Sequence, residues 1–282
     1  MSSRVTVNNE SMNSDIITRN NVRISGRGTQ PMLFAHGFGC DQNMWRFVAP
    51  QFEDHYRVIL FDYVGAGHSD VGAYDPARYA TLDGYAQDVL DIASALDLRN
   101  IVFVGHSVSS MVGVLAANQE PDRFDELILI GPSPRYINDE PYVGGFERQD
   151  IEGLLDMMDR NFIGWANFLA PAIIKNPDRP ELGQELTESF CSTDPVIARR
   201  FAEATFFADN RADLADVKVS SLILQCSEDM VAPEPVGRYL AEHLEHSTFR
   251  QMKATGHCPH MSHPEETVSL IKDYLDSRRS LS

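Results

Sequence analysis

Gly105-His106-Ser107-Val108-Ser109 lies between an apolar run at 101–104 and a segment of helical spacing at 111–118. A serine hydroxyl is a weak nucleophile until it is exposed beside a base that takes its proton. A sharp strand-to-helix turn would expose it, and small neighbours let backbone and helix approach closely. The helix start behind it offers N–H groups and partial positive charge to a developing oxyanion. The last position of such a turn is usually Gly, and here it is Ser109. A candidate base, His257, sits in Thr255-Gly256-His257-Cys258-Pro259, and a candidate acid, Asp229, in Cys226-Ser227-Glu228-Asp229-Met230-Val231-Ala232-Pro233. Glu228 competes with Asp229. The shorter carboxylate, four residues before Pro233, is preferred. In this arrangement His257 accepts the Ser107 proton, while Asp229 fixes the imidazole tautomer and stabilises its cation.

His36-Gly37-Phe38-Gly39 follows another apolar run, and the Phe38 N–H is expected to pair with that of Val108 around an oxyanion. Phe38 and Val108 should also line the substrate pocket, with Trp165, Phe168, Phe206 and Phe207 above them. For each of these aromatics, plain core packing is an equal alternative. An apolar chamber would favour small hydrophobic esters or lactones, because burying an unpaired charge is costly. His257, His260 and His263 form an H-x-x-H-x-x-H spacing that suggests metal. Pro259 interrupts it and no further ligand completes a zinc signature, so neither metal nor cofactor is expected. Gly65-Ala66-Gly67-His68-Ser69 lacks the third glycine of a dinucleotide loop.

Elements that could position these groups are visible in the apolar pattern. Short runs at 32–35, 58–61, 101–104, 127–130 and 222–225 read as buried parallel strands, with a further strand near 248–252. Helical spacing at 85–96 and 236–244 alternates with them. The fold class is therefore α/β, a mostly parallel doubly wound sheet whose ligands bind at the carboxyl ends of its strands. Segment 132–213 carries helical patterns at 151–158, 165–174 and 195–207 and no convincing strand. It reads as a helical cap inserted into a core of residues 15–131 and 214–282. Residues 1–14, rich in Ser and Asn, read as a flexible tail.

The 282 residues carry 24 Lys+Arg against 41 Asp+Glu, a net charge of −17 that argues against a nucleic-acid partner. Acidic side chains on the expected helices, Asp88 and Asp91 among them, read as solvated faces. No apolar run approaches the ~20 residues of a membrane helix. The first residues lack an apolar secretory core, so a cytoplasmic location is expected. The four cysteines show no paired spacing and read as buried thiols.

The chain order Ser107, Asp229, His257, each after a strand, resembles that of the α/β-hydrolase superfamily from about Ile16 to Leu275. Gly131-Pro132-Ser133-Pro134-Arg135-Tyr136-Ile137-Asn138-Asp139, Asn161-Phe162-Ile163-Gly164-Trp165, Phe190-Cys191-Ser192-Thr193-Asp194-Pro195 and His257-Cys258-Pro259-His260-Met261-Ser262-His263-Pro264 resemble the bacterial RsbQ family. That family is similar to the plant strigolactone and karrikin receptors. The resemblance implies an α/β-hydrolase fold with a four-helix cap over a small hydrophobic pocket. It also implies slow hydrolysis coupled to signalling, through a PAS-domain phosphatase partner in a sigma-B energy-stress response. Two alternatives, carbon–carbon cleavage of ring-fission products and cofactor-free perhydrolysis, use the same three residues and stay open. Dehalogenation and epoxide opening need Asp where this chain has Ser107.

Overall fold

The computed structural model describes residues 9–280, with side chains from residue 13. Seven strands form one sheet: β1 (Arg23–Ser25), β2 (Pro31–Ala35), β3 (Arg57–Leu60), β4 (Ile101–His106), β5 (Phe124–Ile130), β6 (Ser220–Ser227) and β7 (Ser247–Thr255). Their spatial order is β1-β3-β2-β4-β5-β6-β7, parallel throughout except for β1, which runs antiparallel to β3. The five apolar runs fall on β2 to β6, and the further strand expected near 248–252 lies within β7. Strand β1 has no such run: it is a three-residue exposed edge, Arg-Ile-Ser, held by backbone pairing to β3 and by the Ser25 hydroxyl donating to Glu53.

Side-chain alternation divides the core into two layers. Leu33, Ala35, Phe103, Leu127, Leu129 and Ile223 face one layer, while Met32, Phe34, Val104, Ile128, Ile130 and Leu224 face the other. Covering both faces makes the central strands continuously apolar. Helices α1 (Asn9–Arg19), α2 (Leu82–Ala95) and α3 (Val108–Gln119) pack on the first layer. Four helices follow β5: α4 (Arg148–Arg160), α5 (Phe162–Ile174), α6 (Pro180–Ser192) and α7 (Pro195–Phe206). Helices α8 (Glu234–His243), α9 (Pro259–Ser262) and α10 (Pro264–Arg279) complete the chain's return to the sheet. Among the described residues, the segment between β5 and β6 has only two isolated bridges and no strand. Asp194 caps α7 by accepting from the Val196 and Ile197 amides, with Pro195 opening the helix. No helix among the described residues is long and apolar enough to cross a membrane.

The chain moves outward from β2 to β3 and then returns to the other side of β2 with β4. This reversal opens a crevice at the carboxyl ends of β2 and β4, where Ala35 pairs with Gly105. The loop containing Phe38 and the turn containing Ser107 therefore emerge side by side.

Three sequence expectations change: of the four cysteines expected to be buried, Cys191 is exposed. Of the tail expected over residues 1–14, residues 1–8 lie outside the described residues and residues 9–14 belong to α1. Helix α1 is held because Ile16 packs into the α2 layer and Arg19 reaches Asp88 and Asp91. Asp88 is not on a solvated face: it is 0% exposed. Arg19, Arg78, Asn20 and the Tyr79 hydroxyl all donate to its carboxylate. A buried charge loses its water, and these donors replace it. Asp88→Ala should lower the free energy of unfolding by about 3 kcal/mol, read from the urea midpoint. A loss below about 1 kcal/mol would mean that the two guanidinium groups rehydrate without cost.

Candidate active site

Strand β4 does not end loosely. Its ladder with β5 continues for one residue, because the Ser107 N–H donates to the Ile130 carbonyl at 2.8 Å. The backbone then turns sharply, with Ser107 at φ 56° and ψ −123°, and α3 begins at Val108. A non-glycine residue in this region costs about 1–3 kcal/mol and persists only where the surroundings enforce it. Close packing enforces it here: a Cβ at Gly105 would lie 2.6 Å from the Ser109 carbonyl oxygen. The turn leaves the Ser107 hydroxyl facing the loops that follow β6 and β7.

Those loops bring the other two groups. His257 Nε2 lies 2.7 Å from Ser107 Oγ, and its Nδ1 lies 2.7 Å from Asp229 Oδ2. The second oxygen of Asp229 accepts from the Val231 and Ala232 amides at 2.8 and 3.0 Å. An ionised carboxylate only accepts, so Nδ1 carries the imidazole proton and Nε2 is free to accept from Ser107. The His257 backbone N–H donates to the Ile173 carbonyl at the end of α5, which ties the loop to the inserted helices. Gly256 permits that approach, since a Cβ there would lie 2.2 Å from the Ile174 oxygen.

Glu228, the competing acid, turns away. Its exposed side chain pairs with Lys175, which lowers its carboxyl pKa, while Asp229 is buried against His257. Nor do His257, His260 and His263 converge: His263 meets the Ser262 hydroxyl instead. A different group, His106, Cys258 and His260, places its donor atoms within 4.8 Å of one another. Burial pushes the Cys258 thiol pKa well up. Burial also lowers His106 well below its ordinary value and His260 to about 3, so both rings are neutral beside His257.

The amides of Phe38 and Val108 donate to no other group among the described residues. Both N–H groups are therefore uncommitted. The Phe38 ring meets Trp165, Phe190, Phe201 and Phe206 at centroid distances of 5.5–6.1 Å. Helices α5, α6 and α7 thus meet over this one side chain. Two expected lining residues point elsewhere. Phe168 is 61% exposed, because α5 buries Trp165, Ala166, Leu169, Ala170 and Ile173 and leaves Phe168 on its outer side. Phe207, one residue past Phe206, lies under the Arg148 guanidinium at 5.1 Å and lines an outer groove with Leu82 and Ala204. Phe207 follows the last residue of α7 and packs only partly against the core, whereas Phe206 makes the ring contact with Phe38.

Phe190, Phe201 and Tyr136 were not among the sequence candidates. Phe190 and Tyr136 lay in segments that resemble the RsbQ family, with nothing in their spacing to mark either as a site residue. The Tyr136 hydroxyl is buried without a hydrogen-bond partner among the described residues. Burial raises the phenol's pKa, and the nearby Ser107 hydroxyl acts against that shift. It is a neutral, uncommitted donor beside the serine.

The model of the Alpha/beta hydrolase family matches residues 32–270. The chain is 37% identical over 262 residues to strigolactone esterase D14 of Arabidopsis thaliana, covering 93% of this chain and 98% of that one. It is 36% identical to karrikin insensitive 2 receptor CA of Petunia hybrida, covering 90% and 95%. Among solved structures, a hydrolase from Oleispira antarctica superposes with a TM-score of 0.92 at 46% identity, covering 94% and 97%. The chain belongs to the alpha/beta hydrolase family.

Proposed function

We propose that this hydrolase cleaves an ester or lactone of a small hydrophobic compound through a Ser107 acyl-enzyme. The observation that carries the reading is the unbroken chain Asp229–His257–Ser107, 2.7 Å at both side-chain links. Ser107 Oγ attacks the carbonyl carbon as His257 Nε2 takes its proton. The oxyanion forms between the Phe38 and Val108 amides, and Asp229 stabilises the imidazolium. Collapse of the intermediate expels the alkoxide, which receives the proton from His257. In a lactone the alkoxide stays tethered to the acyl group. Water, activated by His257 in turn, attacks the acyl-enzyme and frees Ser107 with the acid product.

Residues 15–131 and 214–282 serve in this reading as the hydrolase core, and 132–213 as a cap. The convergence of Trp165, Phe190, Phe201 and Phe206 on Phe38 supports it. Aromatic walls favour uncharged substrates, since a charge entering them loses its water without gaining a partner. The Tyr136 hydroxyl supplies one polar contact to a substrate oxygen. The unpaired cysteine thiols suit a reducing compartment such as the cytoplasm.

A second reading is a slow ligand sensor whose output is partner binding. The cap surface supports it by exposing Ile163, Phe168 and Val196, each more than 60% accessible. The RsbQ resemblance would make the partner a PAS-domain phosphatase of a stress-response pathway. Multiple rapid turnovers of generic esters, with no phosphatase retained in a pull-down, would remove this reading.

Ser107→Ala should abolish fluorophosphonate labelling and turnover of 4-nitrophenyl acetate. Asp229→Asn should reduce kcat on the order of 10⁴-fold, with Glu228→Gln close to wild type. A loss under tenfold for Asp229→Asn would move the acid role elsewhere. Tyr136→Phe should lower kcat/KM about 3- to 10-fold, the value of one neutral hydrogen bond, and no change would remove its contact with substrate. Neutral short esters should be turned over far faster than hemisuccinate esters of the same alcohol. Equal rates would refute the apolar chamber.

A further inference from the structure

Ser109 stands where this turn usually carries glycine, yet its side chain is 0% exposed and fully bonded. A serine in the first turn of a helix ordinarily bonds within its own helix or to water. Ser109 Oγ instead donates to the His36 carbonyl at 2.5 Å, across 73 positions of sequence. It also lies 2.8 Å from the Tyr63 hydroxyl. A carbonyl can only accept, so the single Ser109 proton is committed to His36, and the Tyr63 O–H must donate to Ser109.

Tyr63 and His36, each bonded to Ser109, also meet each other. The Tyr63 backbone N–H donates to His36 Nε2 at 3.2 Å, which makes Nε2 the acceptor and leaves the ring hydrogen on Nδ1. That Nδ1–H then donates to the Gly37 carbonyl at 2.9 Å, which also accepts a longer bond from the Cys40 N–H at 3.3 Å. Burial lowers the His36 pKa, so this neutral tautomer is the stable one. The circuit is closed and dry: His36, Tyr63 and Ser109 are all fully buried.

Its last bond bears on the site. The Gly37 carbonyl and the Phe38 N–H belong to one planar trans peptide and point to opposite sides of it. Whatever fixes the carbonyl aims the N–H. The other end of the circuit is Ser109, one residue beyond Val108, whose N–H is the second proposed donor. We propose that Ser109 is a positioning residue: with Tyr63 and His36 it fastens the β2 loop to the start of α3 and so sets the Phe38 and Val108 amides relative to each other in the oxyanion hole. This rests on the reading of Ser107 as nucleophile. Oxyanion donors act through fixed geometry, so a loosened loop should harm the transition state and spare ground-state binding.

The test is Ser109→Ala, compared with wild type on 4-nitrophenyl acetate. We expect kcat to fall about 10- to 100-fold, with KM changed less than about twofold. A trifluoromethyl ketone, which forms a tetrahedral adduct on the serine, should bind more weakly by a similar factor. A methyl ketone of the same shape, as its reversible ground-state counterpart, should keep its affinity. Tyr63→Phe leaves the Ser109–His36 bond and the aromatic packing in place, and should show a smaller loss in the same pattern. It carries the comparison if the alanine variant does not fold. A kcat within twofold of wild type would overturn the proposal. So would a loss shared equally by both ketones, since that is the mark of a generally damaged pocket. Retention of turnover in Ser107→Ala would sink the nucleophile reading itself, whatever Ser109 does.

Discussion

A serine held at φ 56° and ψ −123° is a local liability, and the whole site depends on its being held there. Strand β4 is fixed on both sides by parallel ladders, and its last bond to Ile130 draws Ser107 to the sheet edge. Helix α3 then leaves at once, packed against β4 and α2. Neither constraint alone would enforce the turn. The strand fixes where the residue enters, and the helix fixes where it must leave. The side chain is pushed toward the carboxyl edge, where the loops of Asp229 and His257 also arrive. Such strain is tolerated because two large packed layers, together with the close approach of Gly105 to Ser109, determine it.

Charge at the site is confined with similar economy. Asp229 has lost its water, but two backbone amides and one imidazole N–H occupy its oxygens. Such charge-assisted bonds are strong where the dielectric is low. The neighbouring His106 and His260 are kept neutral by burial, so no cation competes with His257 for the carboxylate. The −17 net charge plays no part in this, apart from Asp229 itself. Asp88 shows that an acidic residue on a helix need not be solvated, because Arg19 and Arg78 arrive from separate segments to meet it.

Five of the seven strands, β2 to β6, were legible as apolar runs because they lie inside the sheet, whereas the edge strand β7 carries mostly polar residues. The exposed β1 had no hydrophobic signal to read. Helix α1 was hidden for a related reason: its stretch is polar, and Ile16 and Arg19 gain their value only from α2. At the site, Ser107, Asp229 and His257 could be named from turn chemistry and chain order. The lining could not. Trp165 and Phe206 reach Phe38 while Phe168 and Phe207 do not, and all four looked alike as aromatics on helices.

The sequence by itself determined the α/β alternation, the strand-to-helix turn at Ser107 and the order of the groups that follow strands. These are local properties, set by periodicity, by residue size and by what each side chain can donate or accept. Only the tertiary structure decided which acid meets His257, which aromatics close on Phe38 and where the Ser109 hydroxyl goes. Those outcomes depend on the angle at which distant helices pack and on which buried polar atom has no other partner. Glu228 and Asp229 are adjacent in the chain, but only one lies where a buried imidazole needs an acceptor. Ser109 and His36 are far apart in sequence, and no local rule predicts their bond.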